Sequence, residues 1–307
     1  MDDELQELVR RSVMQALTVA PNDIGAALEE FGWSELVRAD ESFAFTTLFE
    51  AQGYLAADTD ALDVVCLAAP GTGPAHVVWP LDAVEVHEAP AADEPTVDGV
   101  TLRASSDPGS ALLVPAGGHL YALDPSSLDE TPVTGMAHDL QWVRVRVRGV
   151  RTADLGAWSE IERRARLAIA SELVGVAQRI LDTAVAHASE RRQFGRPIGA
   201  NQAVRHRLAE AYSDVVGAGA LVAAAWEDGS SSAAACAKAV SGIAHDAVAK
   251  QAIQVCGAIG LSEEHELPGL VRRGFALDAL LGSATTTGGR FGWEAFSSAP
   301  PVAVAGF

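Results

Sequence analysis

The sequence has little positive charge and few cysteines, and each shortage excludes a class of protein. Of its 307 residues, 22 are Lys or Arg against 41 Asp or Glu, which gives a formal net charge of -19. A chain this acidic repels nucleic acid and anionic membranes, so we expect neither as a partner. Cys66, Cys236 and Cys256 are too few and too widely spaced for a disulfide framework or a metal site. The thiols are therefore predicted to be free, as in a reducing cytoplasm.

Long apolar runs are also missing. The N-terminus begins acidic, without the cationic start and apolar run of a signal peptide. No later stretch has the roughly 18 uncharged apolar residues that a membrane span needs. What the chain has instead is 49% hydrophobic content spread along its length, enough to bury a large core. These features predict a cytoplasmic globular protein.

Two changes in the residue pattern divide the chain into three predicted domains. In residues 1–60 apolar residues recur at helical spacing, with a break at Pro21 and a cap at Asn22 or Asp23. In residues 61–152 short β-prone runs alternate with Pro, Gly and Asp-rich turns. The runs are DVVCLAAP, HVVWPL, ALLVPA and QWVRVRVRGV, and the acidic segment HEAPAADEPTVDG is predicted as a solvated loop.

Residues 153–307 are Ala-rich and helical again. The pattern predicts four helices. The first begins at about Ala157, the second follows the GRPIG loop, the third runs from about Ser231 to Ile259, and the fourth begins near Leu267. The first is apolar on more than one face, so we expect neighbouring helices to enclose it. Small residues allow close approach of helices, which favours a four-helix bundle.

A dense basic cluster, Arg191, Arg192 and Arg196, stands in the segment ERRQFGRPIGANQAV. Guanidinium groups suit a diphosphate, which they can bind with two hydrogen bonds. From spacing alone, pairing with the acidic surface of the same chain is the simpler interpretation.

This segment and a second one, AIQVCGAIGLSEEHELPGLVRRGFALDALLG, resemble in order and spacing the C-terminal domain of the acyl-CoA dehydrogenases. The resemblance covers about half of the chain. It implies a mainly α fold with a small β region: N-terminal helices, a reduced middle β domain and a C-terminal four-helix bundle. It also implies FAD as cofactor, an acyl-CoA substrate and an electron-transfer acceptor.

The resemblance also implies cofactor-binding residues. In the family, an R-x-x-F-G turn reaches the FAD of a neighbouring subunit, and a Gln with a Gly-Gly pair contributes a second contact. The corresponding positions here are Arg191, Gln193, Phe194, Gln202, Gln254 and Gly257. The Gly-Gly pair is Gly257-Ala258, whose extra methyl puts close approach in question, and a helix C-terminus at Gly257 would explain the glycine without any cofactor. Cys256 is interpreted as a small buried hydrophobe.

The catalytic base of the family has no counterpart at its expected positions. The reaction needs a carboxylate to remove an α-proton, and the two positions that hold it in family members correspond to Leu281 and Ala165. Glu172, Asp278, Glu263 and Glu264 could substitute, but solvated helix faces and ends account for most of them. No catalytic residue is therefore assigned.

These losses resemble the short β subunit of α2β2 steroid-CoA dehydrogenases, in which a second acyl-CoA dehydrogenase subunit carries the base. The expected function is a non-catalytic half-site subunit of such a heterotetramer. Two alternatives stay open: a self-sufficient homotetrameric dehydrogenase with a relocated base, and a non-enzymatic scaffold subunit.

Overall fold

The computed structural model describes residues 3–67, 75–81, 96–104, 111–134, 140–289 and 297. The N-terminal part is helical, as predicted, and its α-helices are α1 (Asp3–Val19), α2 (Ile24–Glu29), α3 (Trp33–Ala39), α4 (Glu41–Leu55) and α5 (Ala61–Cys66). A single 3-10 turn at Pro21–Asp23 separates α1 from α2. Asp23 occupies the N-cap position of α2, although its side chain makes no capping hydrogen bond. Asp40 does cap α4, because its carboxylate accepts a hydrogen bond from the backbone N–H of Phe43 at 2.9 Å.

The middle part forms a five-stranded mixed sheet. Its strands are β1 (Ala75–Val77), β2 (Thr96–Thr101), β3 (Ala111–Ala116), β4 (His119–Pro132) and β5 (Val143–Ala157), in the order β1-β3-β4-β5-β2. Only the β1–β3 pair among them is parallel. On β5, Val143, Val145 and Val147 are buried while the arginines between them are exposed, as the alternation predicts. The division of the chain at residues 60/61 and 152/153 stays a prediction.

Three sequence predictions for this part need correction. The run DVVC was predicted as part of a strand but belongs to the helix α5. The prediction failed because a short apolar run fits a strand and a buried helix equally well. Thr96–Thr101 forms β2, although TVDG was assigned to a solvated loop. The strand β4 was not predicted at all. The rest of that loop and the end of DVVCLAAP lie in residues 68–74 and 82–95, outside the described residues.

The C-terminal part is the predicted four-helix bundle. Its helices are α6 (Trp158–Glu190), α7 (Gln202–Asp228), α8 (Ser231–Cys256) and α9 (Leu267–Ala279). The long α6 is enclosed as expected, because it packs against α4, α7, α8 and α9. By length and composition, α7 is also the one helix of the described chain that could cross a membrane, and in the bundle it packs on α6 and α8.

Glycine residues allow α4 and α6 to cross at close range. A Cβ at Gly53 would collide with the backbone carbonyl oxygen of Glu172, and one at Gly175 with the carbonyl oxygen of Glu50. Backbone atoms cannot move aside as a flexible side chain can. The two glycines therefore fix the distance between the N-terminal helices and the bundle.

Replacing Gly175 with alanine should lower the free energy of unfolding by about 1–3 kcal/mol, because the new methyl forces the two helices apart. Gly217 is the matched control, since it is also helical but a Cβ there would meet nothing within 4 Å. Gly217→Ala should raise stability by about 0.5–1 kcal/mol through the better helix propensity of alanine. Urea unfolding of both variants measures the difference, and equal effects of the two changes would contradict the close-crossing interpretation.

Candidate functional site

The arginine-rich segment forms an exposed hairpin at the end of α6. Strands β6 (Arg192–Gln193) and β7 (Arg196–Pro197) pair, and Phe194 and Gly195 form the two-residue turn between them. Both turn residues have positive φ, 52° and 79°, as a type I′ turn requires. Glycine adopts this conformation freely, but a bulky residue such as phenylalanine does so only under strain. Phe194 is also 100% exposed. A strained, fully exposed aromatic side chain is a candidate for contact with another molecule.

The arginine side chains of this hairpin have no hydrogen-bond or ion-pair partner among the described residues. Arg191, Arg192 and Arg196 are exposed, and none of them makes a side-chain hydrogen bond or ion pair with any residue that the structure describes. Pairing with the acidic surface of the same chain, the simpler interpretation of the spacing, is therefore absent within that part of the chain. Gln193 is exposed beside them. These groups can donate hydrogen bonds to an external anion such as a diphosphate.

The other sequence-predicted contacts lie at the same end of the bundle. The guanidinium of Arg207, near the start of α7, donates a hydrogen bond of 2.7 Å to the side chain of Gln251, near the end of α8. Gln202 and Gln254 lie beyond this contact, at the first turn of α7 and the last turn of α8, and both are exposed. The structure thus brings together two segments about 50 residues apart. Exposed Ile259 and Leu261 add apolar surface after α8.

Gly257 ends α8, as the sequence predicts for a helix C-terminus. Its φ is 66°, which glycine adopts at no steric cost. A Cβ there would meet no described atom within 4 Å, so no close approach within the described part of the chain requires the glycine. Cys256 is buried, as expected for a small hydrophobe.

A histidine also lies at this end of the bundle. Burial lowers the pKa of His187, and neighbouring His265 and Arg191 lower it further. His187 belongs to the last turn of α6, and His265 precedes α9. Because its charged form is disfavoured, His187 is predominantly neutral at neutral pH. The cations at this end of the bundle therefore include the arginines of the hairpin but not His187.

The two positions expected for the base lie in another part of the molecule, where both side chains are buried. Leu281 is only 5% exposed, and its backbone N–H donates a hydrogen bond of 2.8 Å to the carbonyl oxygen of Pro80. Next to it, Leu81 and Leu280 form an antiparallel bridge, so the middle part of the chain lies directly against this segment. Ala165, the second position, is fully buried. Neither side chain can accept a proton.

A buried lysine that sequence reasoning missed holds this segment in place. Lys238 on α8 is fully buried, and its ammonium donates hydrogen bonds to the carbonyl oxygens of Asp278 at 2.7 Å and Gly282 at 2.6 Å. The carboxylate of Asp278 lies 3.7 Å from the same ammonium. The one available signal was a lysine within the small, apolar run AAACAKAV. The contacts of Lys238 stabilise the turn in which Leu281 adopts a φ of 57°.

Of the four carboxylates considered as replacement bases, Glu172 is the most buried. At 4% exposure it does not lie on a solvated helix face, which is the interpretation that the sequence favoured for most of the four. It accepts hydrogen bonds from Arg273 at 2.5 Å and from Gln52 at 2.9 Å. Burial raises the pKa of Glu172, and these partners oppose the shift.

The other three carboxylates also have structural explanations. Asp278 accepts a hydrogen bond from the backbone N–H of Ala284 at 3.0 Å and so closes the turn after α9. Glu263 pairs with Arg272 through two hydrogen bonds, and Glu264 is exposed. The structure therefore gives none of the four the arrangement of a free base in a substrate cavity.

Comparison with known proteins gives one family and a consistent set of relatives. The model of the family described as acyl-CoA dehydrogenase, C-terminal domain, matches residues 162–284. The acyl-CoA dehydrogenase FadE34 of Mycobacterium tuberculosis is 37% identical over 188 residues, which cover 58% of this chain and 26% of that protein. The acyl-CoA dehydrogenase IpdE2 of Mycolicibacterium smegmatis is 38% identical over 131 residues, 43% of this chain and 42% of that protein. The matches thus span less than half the length of these two curated relatives.

Solved structures show the same fold over nearly the whole chain. A chain of the ChsE4-ChsE5 complex from Mycobacterium tuberculosis superposes with a TM-score of 0.71 at 20% identity, covering 98% of this chain and 99% of that one. A chain of the Tcur3481-Tcur3483 steroid ACAD gives a TM-score of 0.70 at 22% identity, covering 96% and 98%. The predicted order of N-terminal helices, small β region and helical bundle is confirmed.

Proposed function

Residues 162–284 of this chain belong to the acyl-CoA dehydrogenase C-terminal domain family, and from this we infer that the protein works within an FAD-dependent acyl-CoA dehydrogenase. We propose that it is the subunit of a heteromeric enzyme that does not carry the base. In this proposal a second acyl-CoA dehydrogenase subunit supplies the catalytic carboxylate. The present chain supplies the arginine hairpin, Arg191 to Pro197, to the partner's cofactor site.

The observation that carries this proposal is the turn after α9, in which Leu281 is buried. A base must stand in a cavity next to the substrate's α-carbon. Here that position holds a buried leucine whose backbone is hydrogen-bonded to Pro80. A self-sufficient enzyme would need a relocated carboxylate, and Glu172, Asp278 and Glu263 already have structural partners. The half-site interpretation is therefore the better supported one.

The chemistry of the hairpin fits part of an FAD molecule. When bound, FAD supplies a flavin that accepts hydride in the reactions of this family. Exposed Arg191 and Gln193 fit its diphosphate because they offer charged and neutral hydrogen-bond donors with no partner among the described residues. The aromatic ring of Phe194 offers a flat apolar surface of the kind on which a nucleotide base stacks. Gln202, Gln254 and Gly257, at the same end of the bundle, complete the set that we assign to the cofactor.

The relatives suggest the assembly and the substrate class. Two of the structural neighbours are described as two-component complexes, and one of these as a steroid ACAD. By analogy we propose an α2β2 heterotetramer that acts on a bulky acyl-CoA, such as a steroid-derived CoA thioester. An electron-transfer protein is the acceptor that we propose, as the family resemblance implies.

Expression of this chain with and without its partner subunit tests the function. The chain alone should be colourless and should not reduce an artificial acceptor when an acyl-CoA is added. Co-expression with a second acyl-CoA dehydrogenase subunit should give a yellow, active complex. A chain that binds flavin and turns over acyl-CoA by itself would contradict the proposal. So would a complex that stays active after Arg191 and Phe194 are both replaced by alanine, because the chain would then be a scaffold.

A further inference from the structure

A cavity that the proposed function does not use lies on another side of the molecule. It has a volume of about 780 Å³ and lies between α1, α4, α6 and α7. Met14, Phe43, Val174 and Val215 give it a largely apolar lining. Small-molecule sites typically have volumes of about 300–1,000 Å³ and a mostly apolar lining with a few polar groups. Its lining includes no residue of the arginine hairpin or of the turn at Leu281.

One stripe of α4 brings a carboxylate to this cavity. Phe43, Thr47, Glu50 and Tyr54 line it, and their spacing of three or four residues puts them on one face of the helix. The stripe carries a single carboxylate, Glu50, with an aromatic residue on either side of it along the helix. On another face of α4, Phe45, Leu48 and Phe49 pack in the core.

Glu50 has no direct counter-ion. Its side chain forms no hydrogen bond or ion pair with the described residues, although it is half-buried. Burial raises the pKa of Glu50 to about 7, and Arg10 is near enough only to oppose this shift in part. The guanidinium of Arg10 instead lies 5.5 Å from the centre of the Phe43 ring. A desolvated carboxylate without a partner is costly, and a cation in contact with it would remove that cost.

The other carboxylates of the lining already have interaction partners. On α1, Glu7 pairs with Arg11 at 3.5 Å. Asp40, at the start of α4, caps that helix. The lining residues from α6 and α7 are uncharged. Among the described residues of this lining, Glu50 is therefore the one carboxylate without a hydrogen bond or an ion pair.

We propose that the cavity binds a small organic cation, an amine carried on an apolar body. The ammonium would lie against the carboxylate of Glu50, and the apolar part would pack on the side chains of Met14, Phe43 and Val215. A charged hydrogen bond in an apolar site is stronger than a neutral one. Aromatic faces attract ammonium groups. The net charge of the chain, -19, also favours a cation over an anion.

Three probes with one skeleton test the charge preference in the purified full-length protein, in whatever assembly it forms. They are 4-phenylbutylamine, 4-phenylbutanol and 4-phenylbutyrate, measured by isothermal titration calorimetry at pH 8. The amine should bind roughly tenfold or more tightly than the alcohol, and the butyrate should bind most weakly. Because the amine needs ionised Glu50, its affinity should fall by about tenfold per pH unit below pH 7. No binding, equal binding of amine and alcohol, or tightest binding of the butyrate would each overturn the proposal.

Two variants assign the effect to Glu50. Glu50→Gln should abolish the preference for the amine, while Glu7→Gln, at the edge of the same cavity, should leave it unchanged. Because the raised pKa means that ionisation of Glu50 opposes folding as pH rises from about 4.5 to 7, Glu50→Gln should melt no lower than the wild type at pH 8. Loss of binding with intact melting thus identifies the carboxylate. Arg10→Gln removes a competing cation and should strengthen amine binding, whereas a weakening would count against a cation site.

Discussion

Replacing Glu172 with glutamine should lower the free energy of unfolding by about 3–5 kcal/mol, because it removes a buried carboxylate that pairs with buried Arg273. Arg273 is 1% exposed, and its guanidinium bridges the carboxylate of Glu172 and the backbone carbonyl oxygens of Ala56 and Ala57. These contacts connect the end of α4 with α6 and α9. Glu172 is also bonded to Gln52, so the network ties the N-terminal helices to the bundle.

The adjacent ion pair provides a matched control. Arg272 and Glu263 also form a bidentate pair, at 2.8 and 2.9 Å, but the side chain of Glu263 is 70% exposed. Glu263→Gln should therefore cost at most about 1 kcal/mol. Urea unfolding at one fixed protein concentration compares the two variants, since association also changes apparent stability. Equal losses would show that the burial of Glu172 does not matter, and our structural interpretation of this residue would be wrong.

Replacing Arg191 with alanine should weaken FAD binding by the complex roughly ten- to hundredfold, because a charge-assisted contact to the diphosphate is worth about 1.5–3 kcal/mol. The chain itself should still fold, since the Arg191 side chain contacts no described residue through a hydrogen bond or an ion pair, and gel filtration should still show the complex. Flavin fluorescence after gel filtration measures the loss.

Arg192 is the control for general charge. It is the next residue, exposed and equally unpaired within the described chain, but it does not occupy the R-x-x-F-G arginine position. Arg192→Ala should change FAD affinity less than Arg191→Ala, although both remove one positive charge. Equal losses would mean that the hairpin acts only by its overall charge. No loss from either change would remove the hairpin from the cofactor site.

Local patterns predicted some elements of this fold and not others. The strands β3 and β5 were predicted because their apolar residues form continuous or alternating runs. The strand β4 was missed because LDPSSLDETP reads as a turn-rich loop. It pairs with β3 only from His119 to Leu123 but with β5 along its length, and its register with β5 shifts after Pro125. Pairing with distant strands overrides local propensity here.

In the candidate site, too, some parts were predictable from the local sequence and others were not. The arginine hairpin was predictable because all of its residues are contiguous and match a family motif. The buried pair of Glu172 and Arg273 joins residues 101 positions apart, and the hydrogen bonds from Lys238 end on backbone carbonyl groups at least 40 positions away. A single sequence does not indicate such contacts, because backbone acceptors have no residue-specific signature.

The ratio of FAD to protein in the purified complex tests the central claim most directly. If this chain completes its partner's flavin site and has none of its own, the complex should contain one FAD for every two chains, one of each kind. Absorbance of the flavin released by denaturation, set against quantitative amino-acid analysis, gives the ratio. One FAD per chain would contradict the account, because each subunit would then hold a complete site despite the closed turn at Leu281.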